Sequence, residues 1–233
     1  MSLRSKKFAA ILAVGLLSSA AFANPINLQA TASQPGNPPT ATSSSNGPIG
    51  GPVLLGPISL GNLKSVTMVG QTTPLLNSPD LMDLFAAVTA KQGLSSNAAL
   101  LMSFTNVTQA YNSFFTGIGG SISGAGSTIT FSTYFVPSNS AFSLVGGTLL
   151  STCTFTSPGS GTGFSCPNVT TSFHTGTGPY ALTTMVSITL NHGGTVTFDD
   201  MLQGTPVPEP SALALLGTGL IGIGAAVRRR LAV

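Results

Sequence analysis

The sequence predicts a mainly β protein, a β-sandwich or jelly-roll-like domain with a short helical insertion and a C-terminal transmembrane helix. Three observations carry this. Strand-like runs separated by glycine-rich turns fill the chain from Ile118 onwards: TITFSTYFV, AFSLVGGTLL, STCTFT, ALTTMVSITLN and GTVTFD. One stretch after residue 78 keeps a helical spacing of apolar residues. Near the C-terminus, Ser211 to Val227 is an apolar stretch without a charge.

Charge places these elements in a cell. Only 8 Lys+Arg and 5 Asp+Glu occur in 233 residues, 6% of the chain, where roughly 25% is usual. That is too few cations for a nucleic-acid partner. Arg4, Lys6 and Lys7 open the chain, and Arg228, Arg229 and Arg230 nearly close it. Between Asn24 and Val207, Lys64 and Lys91 stand against Asp80, Asp83, Asp199 and Asp200, leaving a net −2. The basic balance therefore belongs to the ends, as in targeting segments around a neutral cargo.

Residues 1–23 have the three parts of a signal peptide: a basic start, an apolar run from Phe8 to Ala20, and a small-x-small site at Ala21 and Ala23. Cleavage is expected before Asn24, whose side chain is not the cysteine of a lipoprotein. Signal peptidase and the general secretion machinery are thus expected partners. Residues 24–52, rich in Pro, Gly, Ser and Thr, read as a flexible linker. Residues 53–206 read as the extracellular β domain. VLLGPISL and KSVTMVG give its first strands. Ser78-Pro79-Asp80 then supplies a helix cap, with Leu81, Leu84, Phe85 and Val88 as its stripe and Gly93 as its stop. A second helix is expected across Ala98–Phe115, on Leu101, Phe104, Val107, Tyr111 and Phe114. About fifty of the 184 residues from 24 to 207 are Ser or Thr, so hydroxyls replace charges on the polar strand faces.

Candidate chemistry is sparse. Cys153 and Cys166 flank a Gly/Ser turn and are expected to form a disulfide that staples a hairpin. His174 and His192 read as loop residues without a triad around them. Asp199-Asp200 has the donors for a Ca²⁺ site, but a solvated turn is the simpler reading. Thr128/Thr130, Thr152/Thr154/Thr156 and Thr195/Thr197 form Thr-x-Thr steps, of the kind that ice- or sugar-binding faces use. No catalytic residue, metal or cofactor is expected. Gly217–Gly222 matches G-x-G-x-x-G but lacks the strand and acidic residue of a dinucleotide site, and small residues in a membrane helix explain it better.

The tail runs from 207 to 233. Val207-Pro208-Glu209-Pro210 precedes the apolar segment 211–227, and Arg228, Arg229 and Arg230 beyond it resist translocation. This order resembles the PEP-CTERM protein-sorting signal, a tail also described as an ice-binding protein C-terminal domain. The resemblance implies recognition by an exosortase of a Gram-negative bacterium, with Val207, Pro208, Glu209 and Pro210 as the recognised residues. It implies an inner-membrane-anchored intermediate, then delivery to the cell surface or extracellular matrix. Such proteins usually accompany exopolysaccharide. The expectation is a structural or adhesive surface protein, not an enzyme; the alternative is a lectin-like or ice-binding module.

Overall fold

The computed structural model describes residues 26–34, 41–47, 52–72, 80–176 and 178–207, with Thr218 and Ile221. Twelve strands occupy them: β1 (Ile26–Ser33), β2 (Ala41–Gly47), β3 (Val53–Leu60), β4 (Leu63–Thr72), β5 (Asp80–Ala90), β6 (Ser96–Val107), β7 (Tyr111–Ile122), β8 (Thr128–Val136), β9 (Thr148–Thr156), β10 (Thr162–Ser172), β11 (Tyr180–Leu190) and β12 (Thr195–Pro206). They form two six-stranded sheets. The first has the order β2-β1-β6-β11-β8-β9, the second β10-β7-β12-β5-β4-β3. Every pairing is antiparallel.

The sheets pack face to face because their strands alternate. In β1, Ile26, Leu28, Ala30 and Ala32 are no more than 1% exposed, while Asn27, Gln29, Thr31 and Ser33 take the other face. β4 repeats this with Leu63, Val66 and Met68, and β12 with Val196, Phe198 and Leu202. One apolar cluster joins both inner faces. Side chains of one sheet pack directly on the other: a methyl group on Gly70 of β4 would lie 2.8 Å from the Leu28 Cδ2 of the opposite sheet. From β5 to β12 the chain crosses between sheets at every connection except β8 to β9, and β12 returns between β5 and β7. That is the double Greek-key winding of a jelly roll, widened by β4 and β3 on one sheet and by β1 and β2 on the other.

No helix occurs in the folded strands and loops, and the expected helical insertion is corrected to strands. In β5 the alternation Met82, Leu84, Ala86, Val88, Ala90 points inward, and all five are buried. Phe85, which a helix would have buried, stands on the outer face at 46% exposure. Leu84 and Val88 belong to both patterns; pairing with β4 and β12 decides for the strand. Gly93, with φ of 71°, turns the chain into β6 instead of ending a helix. Ala98–Phe115 covers most of β6 and the start of β7. Here the alternation is masked because the outer face of β6 is covered as well. Phe142 in the β8–β9 loop donates its amide to Ser103 Oγ at 2.9 Å, and Asn106 and Asn139 bond one another twice.

The linker expectation is corrected too: 26–33 and 41–47 of that segment are β1 and β2, so the domain begins well before residue 53. The signal is short: Ile26 and Leu28 are the only large apolar residues of the two strands, and alanine, glycine, amide and hydroxyl residues fill the rest. The signal peptide and most of the 211–227 segment lie outside the described residues, as do Ala21, Ala23, Arg228, Arg229 and Arg230.

Cys153 and Cys166 are bonded, with Cα atoms 6.2 Å apart. They do not staple a hairpin. β9 and β10 are edge strands of different sheets, so the bond ties the two sheets together along one side of the sandwich. Changing both cysteines to serine is expected to cost roughly 3 kcal/mol of stability on the loop-entropy scale, read as a lower denaturant midpoint; wild-type protein with added reductant should match it.

Candidate functional site

All four carboxylates between residues 24 and 207 fall on two neighbouring strands, Asp80 and Asp83 on β5, Asp199 and Asp200 on β12. Adjacent residues of a strand point to opposite faces. Asp199 is therefore outside and exposed, whereas Asp200 is inside at 1% exposure. This corrects the idea that the two aspartates share a cation. Asp199 finds its partner across the strands, in Asp83.

The register lays out the outer face of the second sheet. One row runs Ser165, Gly119, Asp199, Phe85, Val69, Leu54 across β10, β7, β12, β5, β4 and β3. The next row places Gly117, Met201, Asp83 and Gln71 side by side. Beyond it, Gln203 donates its amide to Asp80 Oδ1 at 2.7 Å. Phe85 and Leu54 are exposed at 46% and 57%. Gly119 opens a shallow strip beside Asp199, because a Cβ there would meet only the Phe164 carbonyl oxygen, at 3.8 Å. An exposed ring bordered by carboxyl and amide groups, with bare backbone next to it, has the ingredients for stacking and hydrogen-bonding a sugar.

Burial pushes the Asp83 carboxyl up to about 7, helped by a hydrogen bond and repulsion from Asp199 and by repulsion from Asp80. Near neutrality Asp83 therefore takes up and releases its proton. Lys64 and Lys91 lie at the far end of the sheet, near Ala90, and Lys91 Nζ donates to the Gly61 carbonyl. Asp200 is raised well above the usual carboxylate range, first by burial and then by Asp83 and Asp199. Its flanking residues in the register are Leu84 and Ile118, and neither of its oxygens has a hydrogen-bond partner. Thr184 and Thr133, paired neighbours in the first sheet, likewise bury hydroxyls without partners.

The remaining candidates stay apart. His174 is exposed beside Thr175, whose amide bonds Tyr111 at the start of β7; His192 is exposed in the turn bonded to the segment after β7. Opposite ends of one strand cannot share a catalytic step. The Thr-x-Thr steps also divide. Thr128, Thr130, Thr152, Thr154 and Thr156 lie on β8 and β9 of the first sheet, Thr195 and Thr197 on the second. Their hydroxyls pair off, Thr130 with Thr154 at 2.9 Å and Ser121 with Thr197 at 2.9 Å. No group of three or more metal-ligating side chains is present among the described residues. A small cleft between the edge strands is lined by Thr116, Ser151 and the disulfide.

The fold ends where the tail motif begins. Val207, its first residue, donates its amide to the Ala110 carbonyl at 2.9 Å; Pro208, Glu209 and Pro210 lie outside the described residues. Residues 206–230 match the model of the PEP-CTERM protein-sorting motif. The chain carries a PEP-CTERM sorting signal. Such a motif implies processing by exosortase, and PEP-CTERM proteins are exported and sorted to the cell surface. No curated protein matches the chain. Among solved structures, TmCBM61 in complex with β-1,4-galactotriose is 14% identical at a TM-score of 0.32, over 52% of this chain and 70% of that one. The enzymatically active domain of bacteriophage CBA120 tailspike protein 4 is 11% identical at 0.29, over 60% of this chain and 18% of that one. Likenesses this distant carry no argument.

Asp83 and Asp200 set an unusual pH dependence. Both bind a proton more tightly folded than unfolded, so stability falls as pH rises from about 3.8 through about 7. The slope for one proton is at most about 1.4 kcal/mol per pH unit, and less for half-exposed Asp83. Thermal unfolding should therefore shift upwards between pH 7 and pH 4.5. Asp200→Asn is expected to flatten that shift and to raise the midpoint at pH 7.

Proposed function

We propose that this chain is an exported, exosortase-sorted structural or adhesive protein of the bacterial surface or extracellular matrix, working beside exopolysaccharide without catalysing a reaction. The observation that carries the reading is the sorting motif at 206–230, which starts at the last hydrogen bond of a sandwich almost free of charge. In this reading signal peptidase removes residues 1–23, and segment 211–227 with Arg228, Arg229 and Arg230 holds an inner-membrane intermediate until exosortase acts at Pro208-Glu209-Pro210. A hydroxyl-clad exterior hydrates well and competes little for ions, which suits a polysaccharide neighbour. The one close carboxyl pair, Asp83 and Asp199, shares a hydrogen bond.

A second reading is favoured by Phe85: the outer face of the second sheet binds a neutral or amino sugar, with the ring stacking and Asp199, Asp83 and Gln71 as hydrogen-bonding partners. Ca²⁺ has a weaker case there, with two carboxylates instead of the usual larger set.

Replacing Pro208 and Glu209 by alanine should trap the protein in the inner-membrane fraction, seen by cell fractionation; unchanged surface delivery would overturn the sorting role. For the second reading, glycan-array binding should fall at least tenfold in Phe85→Ala and in Asp199→Ala. Gly119→Val should block the same binding with an unaltered unfolding midpoint, since the space above Gly119 is open.

A further inference from the structure

The four edges of this sandwich are not alike, and the difference points to self-assembly. A sheet edge offers unpaired backbone groups to any passing strand, and proteins blunt it with proline, bulges or charge. In the second sheet both edges are blunted. β3 contains Pro57, and its pairing with β4 slips on both sides of Ile58. β10 contains Pro167, and its register with β7 shifts between Cys166 and Val169. In the first sheet β9 is engaged sideways: Cys153 bonds Cys166, and Thr171 Oγ1 donates to the Leu150 carbonyl at 2.6 Å.

β2 has none of these devices. Ala41–Gly47 contains no proline and no charged residue, and it pairs with β1 over seven consecutive residues without a slip. Among the described residues its only ladder partner is β1. Thr42, Ser44 and Asn46 are its exposed positions.

We propose that β2 is a self-association edge, where a second copy of this chain adds its own β2 antiparallel and joins two six-stranded sheets into one of twelve strands. A two-fold axis at Ser44 pairs Ser43 with Ser45, Thr42 with Asn46 and Ala41 with Gly47. These are hydroxyl, amide and small side chains that tolerate their own image. The absence of charge in the strand removes the repulsion that identical edges normally bring, and the blunted β3 and β10 keep the second sheet from competing. One strand pair buries less than the roughly 1,200 Å² of a stable interface, so the contact is weak in dilute solution and fills as copies crowd on a surface. The inference does not depend on the sugar-binding face, which lies on the other sheet.

The test is sedimentation equilibrium of the full chain in detergent, with wild type, Ser44→Lys and Ser44→Glu. The wild type should show a reversible, concentration-dependent dimer. Each charged variant should weaken it at least tenfold without moving the unfolding midpoint, because two like charges meet at the axis. An equimolar mixture of the Lys and Glu variants should restore it. A wild type that stays monomeric through the millimolar range leaves β2 to some other occupant and overturns the proposal. So does a dimer that survives both substitutions, since it uses another surface, or a mixture that fails to recover.

Discussion

The ladders that hold β12 between β5 and β7 are the constraint on which the second sheet depends. They join the end of the domain to a segment far back in the chain, and Gln203 and Asp80, bonded across them, are 123 residues apart. Without β12, β5 and β7 would each present an open edge, and the inner residues Val196, Phe198 and Leu202 would be missing from the core. Asp199 reaches Asp83 only because this pairing sets their strands side by side. Folding of such a sheet waits for long loops to close, as expected for a β topology dominated by distant contacts.

The core tolerates an ionisable residue at the centre of this same strand. Asp200 sits among Leu84 and Ile118 with its oxygens unpartnered, a position that favours the neutral acid. On the outer face half-buried Asp83 reaches a similar result, first through burial and then through its hydrogen bond with and repulsion from the exposed Asp199. In both places the strands have been set by hydrogen bonding and apolar packing, and the carboxyls have adjusted their protonation to fit.

How far the sequence could be read varied with the strength of its alternation. β8, β11 and β12 announce themselves through β-branched and aromatic residues between glycine turns. The expected run AFSLVGGTLL is corrected: Ala141–Gly147 lies in the β8–β9 loop, and only Thr148–Leu150 continue into STCTFT as β9. β10 has no comparable run. β5 does not, because Leu81, Leu84, Phe85 and Val88 satisfy a helical spacing while Met82, Leu84, Ala86, Val88 and Ala90 satisfy a strand; pairing partners remote in sequence choose between them. β6 loses its pattern because the β8–β9 loop buries Ser103 and Thr105 on its outer side. β1 and β2 look like spacer, since beyond Ile26 and Leu28 only alanine, glycine, amide and hydroxyl residues make up the two strands. The cysteine pair was readable, but its role across the sheets was not, as that needs the strand order. Likewise Asp199 could be picked out alone, while Asp83, Phe85 and Gln71 join it only through the register. The terminal motif needs no fold at all, being read as a linear address.

The hydrogen bond from Val207 to Ala110 closes the domain at the end of a central strand, not an edge strand. A chain held by its C-terminal segment would pull on β12 along the sheet, against the ladders of β5 and β7 together. Force applied in that direction must shear many hydrogen bonds at once, whereas a tether leaving from an edge could unzip them one after another. The point of attachment thus favours a domain that resists being pulled open from its C-terminal end.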